Sequence, residues 1–379
     1  MSLSPQPSAP LKGSWEAVLL EGQRLAGNYN PAAEEPLLKV TQGLGRLPEA
    51  MLTARDGYLL SLLLEASNTL IGLYLVLERY GPAKAIAQHL QAKVPFDDRR
   101  AVEHQIAEVE LMAGELDAAL ERLRQLAGSG GLDEWGDYFY AALANERYET
   151  AAVALKEAEQ WYNRHFAKQH TTPEARNHQA YLSGLKARLA LAQGKVSEAV
   201  AWFEHSAALD KFFAEHANFF YTLLIEAGAP DAALPLVQRD KDTVRRAFWE
   251  GLIYLRQGAR DRAEQSWRTV AAVPPEEVQT TVLLEHVLCN YYLGDPNGAG
   301  LAATLAALQS SETRYWGTFF LAALGWARRN DEEAARHNLG VAVRLRRAMA
   351  DGRTLDRRFK QFVTDLLPPA QQAWFEPYF

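Results

Sequence analysis

Small side chains recur at Ala85, Ala119, Ala151, Ala199, Ala233, Ala263, Ala299 and Ala335, at successive spacings of 34, 32, 48, 34, 30, 36 and 36 residues. A recurrence of this length means one supersecondary unit repeated along the chain, each unit burying its apolar face only against its neighbours. Ahead of many of these alanines stands a turn of one kind: Ala113-Gly114-Glu115, Gln193-Gly194-Lys195, Ala227-Gly228-Ala229, Gln257-Gly258-Ala259 and Leu293-Gly294-Asp295. Glycine there ends one helix in a left-handed cap, and the next helix starts at once. The flanking apolar residues follow the helical period, as in Leu116, Ala119, Leu120 and Leu123, or Val196, Ala199, Val200, Phe203 and Ala207. No long stretch alternates with period two. The chain is expected to be all-α.

The spacing of 48 carries extra residues, placed in Trp161–Pro173 as a lengthened second helix and a loop. Another irregularity precedes the first clear unit, where 54–80 reads as one long helix. The expected organisation is a flexible leader at 1–13, helical-hairpin repeats at 14–160, the irregular insertion at 161–178, further repeats at 179–345, and a capping helix with an aromatic tail at 346–379.

In detail the repeats resemble the tetratricopeptide repeat, a helix–turn–helix unit of 34 residues. The resemblance is best in 244–277. There Gly251 stands where the family needs a small residue for close helix approach, and Tyr254 at its usual aromatic. Ala263 holds the small position of the second helix, Trp267 the bulky one, and Pro275 closes the unit. The segments 180–210, 132–160 and 316–343 follow, through Ala187 and Phe203, Trp135 and Ala151, and Ala323 and Trp326. Departures are Leu73, Phe139 and Tyr221 at small positions, Glu110 and Asn290 in place of the aromatic, and Asp240 in place of a core alanine. The resemblance covers 66–345, with an imperfect further pair at 14–45. It implies an α-solenoid of about eight helix pairs in a right-handed superhelix.

The sequence offers little chemistry. It contains no glycine-rich phosphate loop, no H-E-x-x-H, no G-x-S-x-G and no kinase set. His165, His170, His178 and His205 lack metal-ligand spacing, and Cys289, the only cysteine, sits in an apolar stretch that reads as core. No catalytic residue, metal or cofactor is expected. The chain is 48% hydrophobic and 23% charged, with a formal net charge of −7, a balance that disfavours nucleic acid or an anionic membrane as the main partner. Met1–Pro10 has no basic start before an apolar core. The greasiest stretch, Leu59–Leu77, is broken by Ser61, Glu65, Ser67, Asn68 and Thr69 and is expected not to span a bilayer alone. The expected compartment is cytoplasmic.

The family uses the groove lined by its first helices to hold polypeptides. Carried onto this sequence, that nominates Glu108, Tyr140, Arg188, Asn218, Arg245, Phe248, Arg256 and Tyr292 as groove-facing. The lysine and asparagine clamp of members that bind chaperone tails is absent. The resemblance therefore implies a non-catalytic protein-interaction scaffold with a protein or peptide partner. Two alternatives stay open: a peptide-sensing regulatory module acting through a partner, with self-association as a further option, and binding of nucleic acid or an acidic partner through the basic carboxyl end. That end includes Arg346, Arg347, Arg357 and Arg358. The closing Trp374-Phe375-Glu376-Pro377-Tyr378-Phe379 reads as cover for the exposed apolar face of the last unit.

Overall fold

In the computed structural model, the described residues are 14–27, 30–95, 99–166, 171–209, 218–273, 282–295, 298–309, 316–347 and 357–378. All the regular elements among them are helices. In chain order they are α1 (Trp15–Ala26), α2 (Glu34–Gly45), α3 (Glu49–Leu52), α4 (Ala54–Val76), α5 (Tyr80–Gln91), α6 (Arg99–Met112) and α7 (Leu116–Ser129). Next come α8 (Leu132–Ala144), α9 (Tyr148–Phe166), α10 (Pro173–Ala192), α11 (Val196–Leu209), α12 (Asn218–Glu226), α13 (Pro230–Val237) and α14 (Thr243–Arg256). The rest are α15 (Arg260–Ala271), α16 (Leu283–Tyr292), α17 (Ala299–Gln309), α18 (Trp316–Arg328), α19 (Glu332–Arg347), α20 (Arg357–Leu366) and α21 (Pro369–Gln372). The leader, Pro275 and Phe379 lie outside the described residues.

The fold is an all-α solenoid of helix–turn–helix pairs. Among the described residues, eight pairs run from α4/α5 to α18/α19, and α1 with α2 makes the further pair expected at 14–45. First helices pack on their seconds, as α8 on α9, α10 on α11 and α14 on α15. First helices also meet first helices, α8 with α10, α14 with α16, and α16 with α18. The long helix expected at 54–80 is α4, 23 residues in length.

The turns explain the recurrence. At Gly258, φ is +77°, and the N–H of Ala259 donates to the Tyr254 carbonyl at 2.8 Å, closing α14 in a Schellman cap. The same bond runs from Arg79 to Tyr74, from Arg147 to Ala142 and from Asp331 to Trp326, around Glu78, Glu146 and Asn330 at φ of +58°, +59° and +60°. These three turns lack the glycine that marks the others in the sequence. The small buried position then lies four residues beyond the turn, at Ala119, Ala151, Ala199, Ala233, Ala263 and Ala335. Two assignments shift. In α5 the buried residue is Ala83, while Ala85 faces solvent, and in α17 it is Gly300, against Tyr291, rather than the half-buried Ala299.

Gly251 and Trp267 show what the repeat packs. The indole lies directly over Gly251, where an added methyl would run into it, and its N–H donates to the Phe248 carbonyl at 3.2 Å. No side chain fits between α14 and α15 at that height.

The described residues divide into two compact units, one up to Arg122 and the other from Leu123 to Arg346 and again from Arg357 onward. The first unit has its own core, with Leu37, Leu44, Leu63, Leu70 and Ile106 at its centre. The core of the second includes Tyr221, Phe248, Trp267, Tyr291 and Phe320. The segment 161–178 comprises the last turn of α9, which is 19 residues long, and the start of α10, which is 20; residues 167–170 lie outside the described set. Extra helix thus takes up much of the spacing of 48.

The greasy stretch departs from expectation. By length and composition alone, Gly57–Val76, with a mean hydropathy of 1.7, is long and apolar enough to cross a membrane, because its leucines outweigh Ser61, Glu65, Ser67, Asn68 and Thr69. It also packs on α2 and α5, with Leu63, Ala66 and Leu70 fully buried.

Candidate binding face

Leu73 and Phe139 are simply buried in the core, while the polar departures from the repeat pattern form hydrogen-bonded nodes. Glu110, in the position of an aromatic, is buried in the first unit and accepts two 3.1 Å bonds from Arg122 and one from Lys84 at 3.1 Å. Although burial opposes ionisation, Arg122 and Lys84 hold the Glu110 carboxyl below its ordinary range. In the second unit, Asp240 replaces a core alanine. It accepts from the Tyr221 hydroxyl at 3.1 Å and from Arg245 at 2.6 and 3.0 Å. Tyr221 stands at a nominally small position, and burial followed by the Asp240 charge raises its hydroxyl pKa. Asn290 donates back to the His286 carbonyl at 3.0 Å.

The nominated groove residues fare unequally. Tyr140 on α8 is one of the exposed large hydrophobic residues, and Arg188 on α10 holds its guanidinium 5.5 Å from the ring centroid. Two first helices thus present an aromatic and a cation side by side. Arg245 is turned back onto Asp240. Phe248 is fully buried, its ring meeting Trp249 on its own helix and Phe362 of α20. Glu108 lies in the first unit, half-buried and beside His104 at 3.7 Å. The side chain of Asn218 lies outside the described residues.

Arg256 and Tyr292 converge on a residue that the sequence did not single out. Asp365 of α20 accepts from Arg256 at 2.6 and 3.2 Å and from the Tyr292 hydroxyl at 2.6 Å. Tyr292 is also stacked on Trp267, with ring centroids 4.4 Å apart. Burial, then the Asp365 charge, pushes its hydroxyl pKa well up, so it stays a donor. The rest of α20 follows the same face. Phe359 packs on Trp316 and Phe320 of α18 at centroid distances of 4.5 and 4.6 Å, and Phe362 meets Phe248 at 6.1 Å. Arg328 donates to the Leu366 carbonyl at 3.2 Å. Helix α20 therefore lies across the first helices α14, α16 and α18.

The basic end requires a correction. Arg346 is buried, not part of a surface patch, with its guanidinium 5.5 Å from the centroid of the Trp316 ring. Arg328 likewise points inward, to the carbonyls of Leu366 and Gly294 and to the Tyr291 ring. The side chains of Arg347, Arg357 and Arg358 lie outside the described residues. Beyond α20, Phe375 is fully buried against Phe320, and Trp374 and Tyr378 pack on the same core.

Among the described residues, no three His, Cys, Asp or Glu side chains gather as a metal site would need. His165 is stacked on Trp161 at 4.3 Å, His178 meets the same ring edge-on, and His170 lies outside the described residues. Cys289 is buried, and burial raises its thiol pKa, which leaves it unreactive. Open depressions of about 450 and 390 Å³ flank α15, the second lined by Arg260, Glu264, Arg268 and Asn290. The first lies along α15 alone, and the second runs from α15 to the end of α16, where Tyr292 lines it.

No family model matches the chain, and no curated protein matches it. Among solved structures it is similar to a tetratricopeptide repeat protein from Parabacteroides merdae, at 11% identity, covering 77% of this chain and 94% of that one, with a TM-score of 0.33. It is also similar to Cut9–Hcn1 of the APC/C, at 12% identity over 96% and 93% of the two chains, with a TM-score of 0.33. With yeast Tom70 the identity is 11%, the coverage 96% and 88%, and the TM-score 0.31.

Proposed function

We propose that this protein is a non-catalytic scaffold that holds a polypeptide partner on the face formed by the first helices of its second unit. The observation that carries this reading is the seat of α20. Three successive first helices take up an amphipathic helix, with aromatic pockets for its apolar side and a cation plus a hydroxyl for its carboxylate. Such a face suits a polypeptide better than a small molecule or a phosphate backbone, because its anchors are spaced like turns of a helix. On α8 and α10 the Tyr140–Arg188 pair supplies the residue types that dominate interface energies, an aromatic and an arginine in contact.

The test is capture by the full chain from native extract, compared among three proteins. The wild type and a Val153→Glu control, altered on the exposed side of second helix α9, should retain the same polypeptides. The double variant Tyr140→Ala/Arg188→Glu should lose them. Equal retention by all three would refute the first-helix face as the binding surface.

A further inference from the structure

The residues of α20 read as a ligand's would. Phe359, Phe362, Val363 and Leu366 are all buried, at i, i+3, i+4 and i+7, while Lys360, Gln361 and Thr364 face solvent. The carboxylate of Asp365, six residues after the first aromatic, sits between Arg256 and Tyr292 with its side chain 11% exposed. The helix has ten residues, too few to be stable alone in water, so its helicity depends on docking. Its anchors come from α14, α16 and α18 together, which makes the seat a groove across three pairs and more than the end surface of the last one.

We propose that this groove is the binding site for an amphipathic helix of a partner protein, and that α20 is its resident occupant from the chain itself. The partner helix carries α20's pattern: an aromatic residue, apolar residues three, four and seven positions on, and a carboxylate at the sixth. The inference deepens the scaffold reading and rests on it. A tethered occupant competes at an effective concentration of the order of millimolar. A free helix of equal intrinsic affinity therefore binds the intact chain weakly, and binds much more tightly once α20 is released. Asp365 is where release is easiest to engineer. Reversing its charge sets two cations against each other and leaves every residue of the groove in place.

The test uses a fluorescent peptide of residues 357–372, titrated by anisotropy into the full-length wild type and into full-length Asp365→Arg and Phe362→Ala. Circular dichroism identifies which variants are folded. Folded variants should bind the peptide at least roughly tenfold more tightly than the wild type does, and a peptide carrying Asp365→Ala should bind them more weakly. Hydrogen exchange on the wild type gives a readout that needs no variant. Saturating peptide should speed exchange in α20 while α14, α16 and α18 stay protected. Equal affinity for wild type and folded variants, or unchanged protection of α20 with peptide bound, would overturn the proposal and make α20 a permanent cap. Neither outcome touches the capture result at Tyr140 and Arg188, so failure here is distinguishable from failure of the scaffold reading.

Discussion

Arg256 holds Asp365 through two hydrogen bonds, at 2.6 and 3.2 Å, across 109 residues of sequence. Both groups keep partial access to water, with side-chain exposures of 28% and 11%. The pair therefore fixes where α20 lies more than it stabilises the fold, since the apolar contacts of Phe359 and Phe362 supply the larger burial. Replacing Asp365 by alanine leaves Arg256 and the buried Tyr292 hydroxyl without their acceptor, at a cost of about 1–3 kcal/mol. A lowered melting temperature, with faster hydrogen exchange confined to α20, is the expected result.

Gly251 tests the repeat register. Any side chain there meets the Trp267 indole, which is rigid and tied to the Phe248 carbonyl. Gly251→Ala should cost about 1–3 kcal/mol through overpacking, and Gly251→Trp should cost more. His165→Ala, on an exposed ring, should change stability by less than about 0.5 kcal/mol. Thermal melting of the three variants gives the order, and the reverse order would refute the register.

That register shows how far the sequence could be read. Where glycine closes a turn, as at Gly258, both the break and the helix after it were visible in the residues. At Glu78, Glu146 and Asn330 the same left-handed turn is held by its backbone bonds alone, with no glycine to mark it. The displaced assignment at Ala85 follows, because one alanine among Ala83, Ala85 and Ala87 cannot be singled out without its neighbours. For the proposed face, Tyr140, Arg188, Arg256 and Tyr292 could be nominated from the repeat. What they touch was not. Asp365 reaches its partners only through tertiary folding, and Phe248 looked surface-facing until α20 was seen to cover it.

The ion cluster at Glu110 makes a prediction for the first unit. Glu110→Ala leaves Arg122 and Lys84 without their buried partner, although both are about one-quarter exposed and reach water. The expected loss is about 1–3 kcal/mol, measured by urea unfolding. Changing Lys84 to methionine as well should cost less than the sum of the two single losses, because both single changes remove the same Lys84–Glu110 contact, while Lys84 keeps Glu115 as a partner.

His286 carries a pH dependence whose sign is fixed. Burial holds its pKa below the ordinary 6.5, although its Nε2 lies 2.9 Å from the Val273 carbonyl, a bond that favours protonation. Below about pH 6.5 the unfolded chain takes up a proton that the folded chain refuses, so stability falls as the pH drops. Above that value the group contributes no slope. Melting temperatures from pH 8 to pH 5 should decline more steeply at the acid end for wild type than for His286→Gln, and parallel curves would contradict this.

The central claim is that the first helices of the second unit form the surface on which a polypeptide is held. A photo-crosslinking amino acid placed at Tyr140 of the full chain, and in a second protein at Val153, tests it most directly. Irradiation in native extract, followed by digestion and mass spectrometry, should give polypeptide adducts at position 140 and none at position 153. Adducts at 153 without any at 140 would contradict the account.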